Sequence, residues 1–238
     1  MNKDMGFALC LCNTKAKPAI HKREIPMNTI EIRNITTASG NEMNVFFIDG
    51  CPLYEYINKW ISDKSELLKS ISPVDDLAIC WTSEYDYAGD AKFMEFVLNQ
   101  NSAITPILSC PEDFDFSCIV IVADILKQDD KVIWRRIGKV DHSAESFEQE
   151  KRSGILYTAA YTAEDRIRYA DNIALADVDS PEWCKWIGEN WTEELYRRRI
   201  NYTFPYYQNE NNIEWIASCN FEFNKQDYDT LVKNCYKR

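Results

Sequence analysis

Histidine and glycine are scarce in this 238-residue chain, with two of the first and seven of the second. His21 lies in an N-terminal stretch without periodic pattern, so a Ser/His or Cys/His hydrolase would have to use His142 as its base. The surrounding GKVDHSAESFEQE instead predicts a strand end and a helix start, with Ser143 as N-cap and His142 a surface or capping residue. A zinc centre lacks ligands: there is no Cys-x-x-Cys, and the close cysteine pair is Cys10 and Cys12. The few glycines form no Walker loop, no dinucleotide-binding pattern and no Gly-x-Ser-x-Gly elbow. No cofactor and no metal site are expected.

Long hydrophobic runs are missing too. GFALCLC, near the start, is too short to span a bilayer and lacks small residues at a cleavage position, so no membrane partner is expected. Positive charge is also short, with 27 Lys and Arg against 38 Asp and Glu and a net charge of -11. That balance disfavours sequence-independent affinity for phosphate backbones, so no nucleic acid is expected, and it steers basic partners inward. Nine cysteines, an odd number without regular spacing, sit partly inside apolar runs such as LAICWT and FSCIVIV. They predict reduced, mostly buried thiols in a cytoplasmic protein rather than a disulfide framework.

Aromatic residues are plentiful: seven Trp, thirteen Tyr and eleven Phe. Each buries roughly 150–250 Å², so a core can rest on a few large rings. Residues 1–26 carry five basic side chains against two acidic ones and are interrupted by Pro18 and Pro26. They are expected to form a disordered or loosely attached tail, with a single α+β domain over 27–238.

Within that domain, Ile30, Ile32 and Ile35 alternate as a strand that pairs with NEMNVFFIDG in a hairpin. CPLYEYINKWISDKSELLKS predicts a helix with Pro52 in its first turn. DDLAICWT predicts a buried strand, GDAKFMEFVLNQ an amphipathic helix, and AITPILSC an edge strand because Pro106 interrupts it. FDFSCIVIVADIL and VIWRRIGKV, joined by QDDK, predict a hairpin whose first arm is covered on both faces. In the second arm, strand alternation sends Arg135 and Arg136 to opposite faces. The last third is helix-rich. SPEWCKWIG starts at a Ser180 cap and stops at Gly188, and TEELYRRRI begins afresh at Thr192. IEWIASCNFEF predicts a strand and KQDYDTLVKNCYKR a closing helix. The expected class is therefore α+β, with a mixed or mostly antiparallel sheet and amphipathic helices packed on it.

The run EELYRRRINYTFPYYQ sets three arginines beside aromatics in an acidic chain. Glu193 and Glu194 precede Arg197 and Arg198 by four residues, which supplies helical pairing of about 0.2–0.5 kcal/mol per pair. An internal brace, with one arginine meeting a buried carboxylate, explains the run without a nucleic acid.

Three acidic clusters remain: Glu84, Asp86 and Asp90; Glu112, Asp113 and Asp115; Asp177, Asp179 and Glu182. None has calcium-loop spacing; Asp90 is placed to cap a helix, and Asp179 to support the cap at Ser180. In the first cluster, CWTSEYDYAGD, acids alternate with aromatic rings in a loop leaving a buried strand. Trp81, Glu84, Tyr85, Asp86, Tyr87 and Asp90 are therefore the candidate contacts for a basic partner protein. The sequence points to a non-enzymatic acidic binding protein, such as a bacterial inhibitor or immunity-type protein masking a basic protein. The alternative is a carboxylate-dependent hydrolase or metal-assisted phosphodiesterase.

Overall fold

The computed structural model describes residues 27–37, 39–62, 74–83, 85, 88–112, 116, 118–144 and 181–235. The expected tail 1–26, the second half of the helix expected after Pro52, and the acidic residues 113–115 and 177–179 lie outside them. The elements are β1 (Ile30–Thr36), β2 (Glu42–Ile48), β3 (Cys51–Pro52), α1 (Leu53–Ile61), β4 (Ala78–Ile79), α2 (Ala88–Leu98), β5 (Ser102–Ser109), β6 (Val120–Lys127) and β7 (Lys131–Val140). After them come α3 (Pro181–Arg198), a π-helical turn (Arg199–Thr203), α4 (Phe204–Gln208), β8 (Ile213–Asn224) and α5 (Lys225–Cys235). Strands β1-β2-β3 form one sheet and β4-β5-β6-β7-β8 a second, and neighbouring strands in both run antiparallel. The fold is α+β, as the sequence predicts. Among the described residues no helix is long and apolar enough to cross a membrane.

Turn chemistry sets the first sheet. Asp49 and Gly50 take φ of 52° and 77° between β2 and β3, the pair of left-handed residues that a two-residue hairpin needs. Asp49 also ties down the entry to β1, its carboxylate accepting from Thr29 N at 2.8 Å and Asn28 Nδ2 at 2.6 Å. Between the sheets lies a cluster of rings. Trp81 sits 4.9 Å from Phe46, 5.9 Å from Trp134 and 5.5 Å from Tyr228, and Trp134 sits 5.5 Å from Phe223. Phe221 meets Tyr56 and Trp60 of α1 at 5.5 and 6.2 Å.

β5 is not the outermost strand, but β4 pairs only with Leu108 and Ser109 and Cys80 N donates to Ile107 O at 3.0 Å, so the edge before Ile107 has no strand beside it. Side chains close it. Trp81 Nε1 donates to Pro106 O at 3.0 Å, and Gln208 both accepts from Ile104 N and donates to Ile104 O, each at 2.9 Å. The β5–β6 register shifts between Pro106 and Leu108, and a bulge is one of the places where a strand accepts proline.

Two helix boundaries differ from the sequence expectation. α3 runs unbroken through Gly188 and Thr192; one interior glycine costs only about 1 kcal/mol relative to alanine, too little to stop an anchored helix. The anchor is α2, where a Cβ on Gly89 would stand 2.8 Å from both Leu195 Cβ and Thr192 O, so glycine lets the two helices touch. After Arg198 the chain widens into the π-helical turn just before Pro205. A proline ring clashes with the carbonyl four residues earlier in a regular helix, and the wider turn relieves that conflict. After β7, Asp141 Oδ1 accepts from Ser143 N at 2.9 Å; the helix expected to follow the Ser143 cap lies outside the described residues.

Burial also sets thiol chemistry. Cys80 is fully enclosed, and desolvation pushes its pKa up to about 12. At about pH 8 its thiolate is about a thousandfold scarcer than that of an ordinary cysteine. Iodoacetamide is therefore expected to leave Cys80 unmodified in the native protein and to label it fully in urea, as read by peptide mass mapping. Native labelling at the urea rate would place Cys80 outside the core.

Candidate binding groove

The open edges of the two sheets face each other. β2 is paired by β3 only at Phe47 and Ile48, β4 has a strand on one side only, and the last turns of α5 close the third side. The result is a groove of about 420 Å³, within the range of small-molecule and peptide sites. Its apolar wall comes from Ile32, Ile79, Trp81 and Leu231, and Asn44, Thr82 and Asn234 add polar groups. Glu31 and Glu42 are its charged residues, and no basic side chain lies among the described lining. Glu31 is ion-paired with Arg33, and both side chains are about half exposed, at 48% and 47%. Such a surface pair is worth about 0–1 kcal/mol, so an incoming cation competes with Arg33 on near-equal terms. Arg33 has a second seat, over the Phe47 ring at 4.4 Å.

The candidate contact residues fall in two groups. Trp81, Tyr85 and Asp90 are 1%, 8% and 0% exposed and face the interior. Trp81 forms the floor of the groove, Tyr85 Oη donates to Cys80 O at 2.5 Å, and Asp90 belongs to an ion pair. These three do not offer the exposed acidic–aromatic contact surface that alternation in the sequence implied, because the core takes both rings and an arginine takes the carboxylate. Glu84, Asp86 and Tyr87 lie outside the described residues. The groove draws instead on residues 31–44, 78–82 and 231–235, which only the fold brings together.

Asp90 does not cap α2. From its first turn it meets Arg199, whose Nε donates to Oδ1 at 2.6 Å and Nη2 to Oδ2 at 3.4 Å. Glu194, buried, takes both Arg197 and Arg198, with Nε distances of 3.0 and 2.9 Å. Glu193 does not pair along its own helix; it crosses to Lys92 of α2. Within the arginine run Arg199 braces α2 against the C-terminal helices, while Arg197 and Arg198 pair inside α3, and Tyr206 and Tyr207 beyond them are core residues.

Arg135 and Arg136 do not part to opposite faces. The register of β6 and β7 shifts between Asp124 and Ile125, leaving Arg135 as a bulge residue. Both arginines therefore reach the buried Asp124, Arg136 at 2.8 and 3.1 Å. Arg136 also forks onto Glu210 at 2.8 and 3.1 Å and lies 4.0 Å over Trp215. Those hydrogen bonds hold the Glu210 carboxyl below its ordinary pKa. Trp215 needs Gly138 beneath it, since a Cβ there would meet Ile213 Cγ2 at 2.5 Å and the indole at 3.0 Å.

Among the described residues no three His, Cys, Asp or Glu side chains gather in a way that holds a metal ion. The chain matches no protein-family model, no curated protein and no solved structure.

Proposed function

We propose that this is a non-enzymatic binding protein that masks a basic partner protein, in the manner of a bacterial inhibitor or immunity protein. The observation that supports it is the groove. It joins an apolar floor to two carboxylates, it carries no basic residue among its described lining, and it opens on a chain of net charge -11. A partner segment fits there if it sets an apolar side chain on Ile32 and Leu231, with Trp81 beneath them, and lysines or arginines toward Glu31 and Glu42. Long-range attraction then speeds encounter, and the two carboxylates fix orientation.

The test is a fluorescence-anisotropy titration with a labelled peptide alternating leucine with lysine and arginine, beside an acidic peptide of the same pattern. Binding of the basic probe is expected, weakening between about 50 and 200 mM salt as screening shortens the field. Glu31→Lys combined with Glu42→Lys is expected to weaken it about tenfold or more. Equal binding of the two peptides, or an affinity indifferent to the double reversal, overturns the proposal.

A further inference from the structure

A second cleft, of about 270 Å³, lies between the C-terminal end of α2, β6 and another face of α5. It shares no residue with the groove: α5 turns Leu231, Asn234 and Cys235 to the groove, and Asp229, Val232 and Lys233 to the cleft. Residues 229, 232 and 233 follow the i, i+3, i+4 spacing of one helical stripe. The charge here runs against that of the whole chain, with Lys127, Lys225 and Lys233 around the cleft and Asp229 as the one carboxylate in its described lining.

That carboxylate is already engaged, since Asp229 pairs with Lys225. Lys127, half-buried on β6, donates to the carbonyl of Leu98 at the end of α2. This neutral acceptor, with the negative end of a helix dipole behind it, offsets only part of a full charge. Burial, with Lys225 nearby, pulls the Lys127 pKa below its ordinary value, and Asp229 works against that shift. Lys233 makes no ion pair among the described residues, and the side-chain amides of Asn99 and Asn101 at the rim donate to none of them. Two ammonium groups without a carboxylate of their own and two unengaged amides thus converge on one concave space.

We infer that this cleft binds a small phosphate-type dianion, either free phosphate or the phosphate of a small monoester. Several oxygens on one compact group suit several point-charge donors better than a single carboxylate does, and lysine recognises phosphate in this way. The bound dianion would relieve the repulsion between Lys127 and Lys225 and accept from Lys233 and the two amides.

The test is thermal unfolding and calorimetric titration of the full chain with inorganic phosphate and, separately, with glycerol phosphate, against sodium chloride at equal ionic strength. A saturable rise in Tm is expected, with a binding heat of matching midpoint. Lys233→Gln, on the exposed side of the cleft and outside any packing, is expected to weaken binding about tenfold, the effect of one charge-assisted hydrogen bond. Lys127→Gln is expected to weaken it further. If phosphate binds and the monoester does not, the ligand is the free ion; the reverse identifies a phosphorylated small molecule. A rise that never saturates and is the same in both variants is the general stabilisation by excluded salts, and it overturns the inference, as does no rise at all.

Discussion

Arg199→Ala is expected to lower the unfolding free energy by about 3–5 kcal/mol, a large share of the roughly 5–15 kcal/mol that holds a domain together. The cost comes from what the substitution leaves behind. Asp90 has no exposed surface, and Arg199 faces both of its oxygens. Without the guanidinium, the carboxylate stays in the interior with that countercharge gone, and removing one member of a buried pair costs far more than the intact pair contributes. Arg199 also lies 5.4 Å over the Phe116 ring and donates to Thr203 Oγ1 at 3.4 Å, so its stem and head are both in use. Asp90→Ala is expected to destabilise by a similar amount. Asp90→Asn together with Arg199→Met, which removes both charges at similar volume, is expected to recover a substantial part. Urea unfolding of Arg199→Ala, Asp90→Ala and the double alanine variant closes a mutant cycle and gives the coupling energy. A loss below about 1 kcal/mol in either single variant would mean that the pair does not brace α2 against the C-terminal helices.

This pair also shows where sequence pattern stops informing. Its partners stand 109 residues apart, and no spacing rule connects them. The arginine run was legible as a brace because three cations in an acidic chain need carboxylates, and Glu194 sits one helical turn away. Asp90 looked like a contact residue because its neighbours, acids alternating with rings, resemble a recognition loop. Alternation carries no information about which ring a distant strand will cover, and Trp81 went under Phe46 and Trp134.

Hairpins were the most legible features, since period-two patterns and polar turns are local. The β1–β2 and β6–β7 pairs fall where alternation places them, and Val120 to Ile125 are buried throughout, as an unbroken apolar arm implies. The Arg135 bulge was not legible: it exists because Asp124 draws two arginines to one carboxylate, a cross-strand interaction. The groove lay equally beyond reach. Its three walls come from residues 31–44, 78–82 and 231–235, and its carboxylates, Glu31 and Glu42, belong to strands whose patterning reads as ordinary solvent-facing alternation. Net charge announced an acidic surface without saying where the concavity in it would lie.

That concavity depends on one ring beneath it. Trp134→Ala is expected to destabilise the protein by about 3–5 kcal/mol, the range for deleting a large aromatic side chain from a packed core. Trp134 has no exposed surface and sits within 5.9 Å of Phe46, Trp81 and Phe223, measured between ring centres. Its Nε1 donates to the Tyr228 hydroxyl at 3.3 Å, so the substitution also strips a buried hydroxyl of that bond. Trp134→Phe keeps a ring but loses the N–H, and is expected to cost distinctly less. The same cavity lies directly under Trp81, the floor of the groove, which is then free to sink toward it. In a variant still folded at low temperature, affinity for the basic probe peptide is therefore expected to fall even though no groove residue has changed. Urea midpoints followed by circular dichroism, with anisotropy titrations alongside, separate the two effects. A wild-type midpoint for Trp134→Ala would remove this ring from the core. A large loss of stability with unchanged peptide affinity would show that the groove floor does not rest on it.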